Sequence, residues 1–314
     1  MNVAVLDDYQ AIAHAIVDWR VLGEGVRVEF LTEHLEDEAL VERIAGCEIV
    51  VAMRERTAFP ARILERLPKL RLLVTTGMRN KAIDVRAATD AGIVVCGTHG
   101  LTWSTAELTW GLVIASVRNL FVETASMRAG GWQRTIGMDL SGRTLGVVGL
   151  GHLGARVAGY GLAFDMRVVA WSPHLSVERA AEHGVSYLPR EELFAQADVI
   201  SIHMVLGQRT RGLITEADLR RMKPTSYLIN TSRGPLIEEA ALVRALREGW
   251  IAGAALDVYD TEPLPAGHEL RKLGNCVLTP HIGYVTRDTY ANFFTGVLED
   301  IQAFLAGSPI RQLV

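Results

Sequence analysis

The stretch "RTLGVVGLGHLGARVAGYGLAF", residues 143–164, decides the fold. An apolar run, TLGVVG, passes through Gly149-x-Gly151-x-x-Gly154 into a helical pattern of small and apolar residues. This strand, turn and helix suit the pyrophosphate of a dinucleotide. Gly149 makes the tight turn, Gly151 lets the backbone approach the phosphates, and Gly154 lets the helix pack close to the strand. The N–H groups at the helix start, with their partial positive charge, would face the anion. A glycine turn alone is a weak signal and also fits a plain βα turn. The flanking strand and helix patterns strengthen it.

Outward from this turn the chain keeps a βα rhythm. On the N-terminal side, VAVLD (3–7), VRVEFL (26–31), EIVVAM (48–53), LRLLVTT (70–76) and IVVCG (93–97) read as buried strands, with helical patterns such as EALVERIAG and PARILERL between them. Short apolar runs separated by amphipathic stretches predict parallel sheets covered by helices on both faces. The rhythm breaks at 104–120, STAELTWGLVIASVRNL, which predicts one long apolar helix with Ser104 as N-cap and Glu107 completing a capping box. A segment containing AGG then reads as mobile. After residue 143 the alternation restarts through MRVVAWS, DVISIH, SYLIN, IAGAALDVY and CVLTPHIG, and a final helix is predicted from about Val285 to Leu305. Two α/β units joined by a helical bridge follow.

The 314 residues suffice for two domains, and 49% hydrophobic residues allow each a core. A net charge of -4 without a basic tract gives no reason to invoke nucleic acid or an anionic membrane surface. Cys47, Cys96 and Cys276 are scattered, with no C-x-x-C, so no disulfide framework or metal cage is predicted. No apolar run is long enough to span a bilayer, and the N-terminus lacks a basic, then apolar, leader. A cytoplasmic location is the expectation.

In a dinucleotide-binding unit the strand after the glycine turn usually ends in Asp or Glu, which holds the ribose hydroxyls of NAD and repels a 2′-phosphate. Here VVAWSPH (168–174) places Ser172, Pro173 and His174 there, and the nearest Arg is Arg179. Ser172 can accept a ribose hydrogen bond but repels nothing. Both NAD and NADP therefore stay open.

Three later strand ends carry polar residues. LINTSRGPLI presents Arg233, AALDVYDTEPLP presents Asp257 and Glu262, and VLTPHIGYVT presents His281. Ligands bind beyond the carboxyl ends of strands in open parallel sheets. An Arg fork can grip a carboxylate, a His can carry the proton of a hydroxyl group, and a carboxylate can orient that His. Taken singly, Arg233 also fits a surface ion pair, His281 a helix cap and Glu262 a loop charge.

With these residues in place the chain resembles the D-isomer-specific 2-hydroxyacid dehydrogenase family, in the manner of its phosphoglycerate dehydrogenase-like members. GRTLGVVGLGHLGARVA, MKPTSYLINTSRGPLIEEAALVRAL, IAGAALDVYDTEPLP and VLTPHIG carry the resemblance, and TGMRNKAID and STAELTWGLVIA add to it. It implies an α/β fold of two doubly wound parallel-sheet domains, with a Rossmann nucleotide-binding domain (100–284) inserted into a flavodoxin-like substrate domain (1–99 plus 285–314). It implies that Arg233 binds the substrate carboxylate and carbonyl and that Glu262 pairs with His281, the general acid or base. Gly77 and Met78 match the loop that holds the substrate carboxylate, and Arg54 a strand end where some relatives bind a distal anionic group. His152 and Leu153 match residues over the pyrophosphate. Met78, Met204, Thr231, Ser232, Asp257 and Gly283 match positions lining the cofactor. A homodimer is implied, with 121–142 as a candidate contact.

The chain departs from the pattern at Ser172, at Arg79 in the substrate loop, and at Tyr284, where a small residue is common. Trp103 and Trp110 bring large rings to the start of the bridging helix. The reading is reversible hydride transfer between NAD or NADP and a small D-2-hydroxy or 2-oxo acid. Its alternatives are a non-catalytic, corepressor-like nucleotide binder on the same fold and oxidation of a non-carbon acid such as phosphite.

Overall fold

The strands of the first unit are short, and all but the edge strand Arg27–Phe30 are largely buried. They are β1 (Asn2–Val5), β2 (Arg27–Phe30), β3 (Ile49–Ala52), β4 (Leu72–Thr75) and β5 (Val94–Gly97), all parallel, in the order β2-β1-β3-β4-β5. Every residue of IVVA and LLVT in β3 and β4 is buried, which is why these runs do not alternate with polar residues. The computed structural model describes residues 1–313. It divides them into one unit of Met1–Leu101 with the segment from Val285 onward, and a second unit of Thr102–Tyr284.

The C-terminal helix Arg287–Leu305 belongs to the first unit and buries Phe293, Phe294, Val297 and Ile301. Beyond it, the backbone of Arg311 and Leu313 pairs with β5 through Gly97 N–H to Arg311 O (3.0 Å) and Leu313 N–H to Val95 O (2.8 Å). This covers an edge that would otherwise be open. Arg311 Nε donates to Asp300 Oδ1 at 2.9 Å, and burial pushes the Asp300 carboxyl up to about 6 despite that partner.

The second unit holds β6 (Thr144–Val148), β7 (Arg167–Trp171), β8 (Ser186–Tyr187), β9 (Val199–Ile202), β10 (Tyr227–Asn230), β11 (Gly253–Leu256) and β12 (Cys276–Leu278). All are parallel, in the order β12-β11-β10-β9-β6-β7-β8. The winding direction reverses between β6 and β9. That switch point is where open α/β sheets bind ligands.

Several local expectations change. The helix begins at Ser104, with Trp103 as N-cap and no side-chain cap bond. The capping box does not form, because Ser104 is already inside the first turn and buried. The helix ends at Val117, and Asn119 at φ 51 turns the chain into a second helix, Leu120–Arg128. The stretch read as mobile is tacked down by side chains. Glu123 accepts from the Thr135 N–H (2.7 Å) and hydroxyl (2.6 Å), Ser126 Oγ donates to Trp132 O (3.0 Å), and Met138 N–H donates to Val117 O (2.8 Å). The last helix starts at Arg287, two residues later than predicted, because Thr286 Oγ1 caps it by accepting from Thr289 N–H at 3.2 Å. The two-residue β8 was not foreseen. No helix among the described residues is long and apolar enough to cross a membrane.

Candidate active site

The glycine turn lies directly on β6. Gly149 has φ 101, and a Cβ there would meet His203 O at 2.6 Å, so only glycine fits. A Cβ on Gly154 would lie 1.9 Å from Gly149 O, which shows how tightly the helix His152–Ala163 closes on the turn. Gly151 differs from both. A Cβ there would meet no protein atom within 4 Å, and the residue is exposed at the helix N-cap. Packing therefore explains two of the three glycines, while the third leaves bare backbone facing open space. A 12-residue helix with no acid in its first turn begins there. Together these features fit a phosphate group.

Around the turn, Met204 Sδ lies 3.0 Å from the position a Gly149 Cβ would take. Leu153 points inward and packs on the core, so only its backbone faces the N-terminus, whereas His152 is exposed. Ser172 follows β7 directly, and its carbonyl accepts from Leu175 N–H at 3.2 Å. The neighbouring His203 was not foreseen. Its Nε2 lies 2.8 Å from Ser201 Oγ, its Nδ1 is buried without a partner among the described residues, and burial lowers its pKa to about 4, so the ring is neutral.

The catalytic candidates stand beyond three adjacent strands. Asn230, Leu256 and Leu278 are in register at the ends of β10, β11 and β12, and Arg233, Asp257 and His281 follow them. The turn after β10 is shaped by Asn230, whose Nδ2 donates to Arg233 O (2.9 Å) and whose Oδ1 accepts from Ser232 N–H (3.0 Å). A Cβ on Gly234 would lie 2.0 Å from the Tyr259 carbonyl carbon, so this turn rests directly on the backbone after β11. Arg233 is half-buried, and its Nη1 donates to Ser232 O at 2.7 Å.

His281 sits at φ 51, an uncommon backbone for a non-glycine residue. Asp257, fully buried, holds the loop around it. Its Oδ1 accepts from Thr279 Oγ1 (2.6 Å) and Ile282 N–H (2.8 Å), and its Oδ2 from Gly283 N–H (2.8 Å). Burial raises the Asp257 carboxyl above its ordinary range, and these donors together with the nearby His281 pull it back. Tyr259 braces the same loop by donating to Thr279 O at 2.8 Å. Glu262 Oε2 meets His281 Nδ1 at 2.5 Å, while Glu262 Oε1 accepts from Tyr259 N–H at 2.8 Å.

Several predicted cofactor-lining residues direct their side chains at the protein itself. Thr231 Oγ1 lies 2.7 Å from Thr109 Oγ1, Ser232 Oγ donates to Ile202 O at 2.8 Å, and Asp257 clamps the His281 loop. Gly283 is pressed between Thr105 and Asp257. The bracing residues Thr109, Asn230, Tyr259 and Thr279 carried no signal in the sequence, since none belongs to a spacing with its partner.

In the first unit Arg54, at φ 54 after β3, reaches the loop after β4. Its N–H donates to Thr76 Oγ1 (2.9 Å), its Nη1 to Thr76 O (3.3 Å), and its carbonyl accepts from Asn80 Nδ2 (2.6 Å). A Cβ on Gly77 would lie 2.1 Å from that Nη1. Gly77 is buried, Met78 half-buried and Arg79 exposed. Among the described residues no group of three or more His, Cys, Asp or Glu could hold a metal ion.

A family model described as D-isomer specific 2-hydroxyacid dehydrogenase, NAD binding domain, matches residues 110–283. The chain is 40% identical to a glyoxylate reductase of Aeropyrum pernix over 80% of its own length and 78% of that protein. It is 36% identical to a D-3-phosphoglycerate dehydrogenase of Archaeoglobus fulgidus, over 92% of this chain but 55% of that longer one. Among solved structures, a phosphoglycerate oxidoreductase from Vibrio cholerae O395 superposes with a TM-score of 0.93 at 36% identity, covering 98% of this chain and 100% of that one.

Proposed function

Since the chain belongs to the D-isomer-specific 2-hydroxyacid dehydrogenase family, we propose that His281, Glu262 and Arg233 carry the proton and substrate chemistry of its hydride transfer between a nicotinamide nucleotide and a small 2-hydroxy or 2-oxo acid. The observation that carries this reading is the Glu262–His281 contact at the carboxyl edge of the nucleotide-fold sheet. A bound nicotinamide supplies or accepts the hydride. In the reducing direction His281 gives a proton from Nε2 to the substrate carbonyl oxygen. Glu262 holds Nδ1 and stabilises the imidazolium before transfer. Arg233 grips the substrate carboxylate with its fork and draws electron density from the adjacent carbonyl.

Gly151, with the N–H groups at the start of the following helix, would hold the pyrophosphate, and His152, Leu153 and Met204 would flank it. Thr231, Ser232, Asp257 and Gly283 would meet the nicotinamide end through backbone or remaining acceptor positions. Family membership supports substrate roles for Gly77, Met78 and Arg54. Ser172 supports acceptance of both NAD and NADP, since no carboxylate stands at the end of β7 to repel a 2′-phosphate. A homodimer is supported by the pinned segment after Arg128, which leaves Trp132 70% and Ile136 95% exposed.

The test is the initial rate of NADH and NADPH oxidation with glyoxylate, hydroxypyruvate and pyruvate, run beside His281→Ala. A rate that falls roughly a hundredfold to ten-thousandfold in the variant is the expected result. Nucleotide binding with no turnover on any 2-oxo acid would favour a non-catalytic binder instead.

A further inference from the structure

Among the described residues Tyr284 is the one large ring in contact with the His281 imidazole, and neither the nucleotide turn nor the substrate contacts account for it. The two ring centroids lie 5.7 Å apart with the planes at 75°, an edge-on arrangement. We propose that Tyr284 is a positioning residue that fixes the direction in which His281 Nε2 points, an inference that rests on the role proposed above for His281.

Three restraints act on this side chain. The Asp257 carboxylate holds Ile282 N–H and Gly283 N–H, which sets the backbone from which the His281 side chain starts. Glu262 Oε2 holds Nδ1. A ring held at one atom can still pivot about that bond, and the pivot swings Nε2 through an arc. The Tyr284 ring stands edge-on beside the imidazole, where it would close one side of the arc. The same Asp257 bonds make the short path from His281 to Tyr284 rigid, so the phenol ring is itself delivered to a fixed place. Nε2 has no hydrogen-bond partner among the described residues, so its aim depends entirely on these restraints. Edge-on ring pairs are favoured by the positive ring edge facing the negative face of the neighbour, which gives the contact a preferred angle as well as bulk.

The experiment compares wild type, Tyr284→Ala and Tyr284→Phe by kcat, KM, nucleotide dissociation constant and the solvent deuterium isotope effect on kcat. Misaiming a proton donor should lower kcat of Tyr284→Ala by about tenfold, with KM and nucleotide affinity held within about twofold. The isotope effect should rise as proton transfer becomes slower, and Tyr284→Phe, which keeps the ring, should restore both kcat and the isotope effect. Unchanged kcat in Tyr284→Ala, or equal damage in Tyr284→Phe, overturns the proposal. An activity-independent arm compares the crystal structures of the three proteins. The His281 imidazole should be rotated or spread over more than one orientation in Tyr284→Ala and return to a single wild-type orientation in Tyr284→Phe. An unchanged imidazole in Tyr284→Ala overturns the proposal even if no substrate turns over, whereas a rotated ring without turnover supports it and counts only against the reaction assigned to the site.

Discussion

Glu262 uses its two carboxylate oxygens for different partners: Oε2 holds His281 Nδ1 at 2.5 Å and Oε1 accepts from Tyr259 N–H at 2.8 Å. Glu262→Gln cannot satisfy both. If the amide oxygen stays on Tyr259, an NH₂ group faces Nδ1 and disfavours the doubly protonated imidazolium. If the amide turns over, two donors meet at Tyr259. Turnover of Glu262→Gln should therefore fall roughly a hundredfold or more, as when a triad carboxylate is replaced by its amide. Steady-state kinetics with the best 2-oxo acid will measure it, and a variant within a factor of two of wild type would remove Glu262 from the mechanism.

Gly151 and Gly154 should respond oppositely to alanine. Gly154→Ala places a methyl 1.9 Å from Gly149 O and should cost several degrees of melting temperature or prevent folding. Gly151→Ala meets nothing in the protein and should melt close to wild type. Its methyl would instead stand where the phosphates are proposed to approach, and nucleotide affinity should fall by about tenfold or more. Thermal denaturation and fluorescence titration with NADH separate the two effects.

Ser172→Asp tests the acceptance of both nucleotides proposed for this site. The added carboxylate would bond the ribose hydroxyls of NADH and repel the 2′-phosphate of NADPH. With a charge-assisted hydrogen bond worth about 1.5–3 kcal/mol, the kcat/KM ratio of NADH to NADPH should rise roughly tenfold to hundredfold. No change in that ratio would mean that residue 172 does not face the ribose.

Asp300 makes stability depend on pH. Its carboxyl is pushed up to about 6 by burial, so between the ordinary carboxylate range and pH 6 the folded chain keeps a proton that the unfolded chain has released. Its contribution is fully present below that window and is lost as pH rises through about 6. Asp300→Asn removes the titration, so the drop in melting temperature from pH 5 to pH 8 should be smaller in the variant. Identical drops in both proteins would assign the pH dependence to other groups.

Much of the fold could be read from local runs of residues. The strands of both units, except the two-residue β8, appear as short apolar segments because the inner strands of a parallel sheet are buried on both faces. The glycine turn was legible because strand, turn and helix are contiguous. Helix ends were less so. Ser104 and Glu107 have capping-box spacing, but the helix begins one residue too early for Ser104 to cap it. The break at Asn119 depends on one left-handed residue that the apolar pattern does not mark. The segment containing AGG reads as mobile because its anchors, Glu123 and Ser126, lie on the preceding helix and look like ordinary surface residues.

By itself the sequence determined the two βα series, the nucleotide turn, the missing acid at Ser172, and the presence of Arg233, Glu262 and His281 at strand ends. Backbone sterics and hydrophobic periodicity act between neighbours, so they leave a trace in neighbouring letters. Only the tertiary structure decided that Asp257 clamps the His281 loop, that Glu262 divides itself between His281 and Tyr259, that Thr109 meets Thr231, and that Tyr284 leans on the imidazole. Those contacts join residues as many as 122 positions apart and depend on strand register and helix packing, which place atoms to within a hydrogen bond's length. No local pattern encodes a distance of that kind.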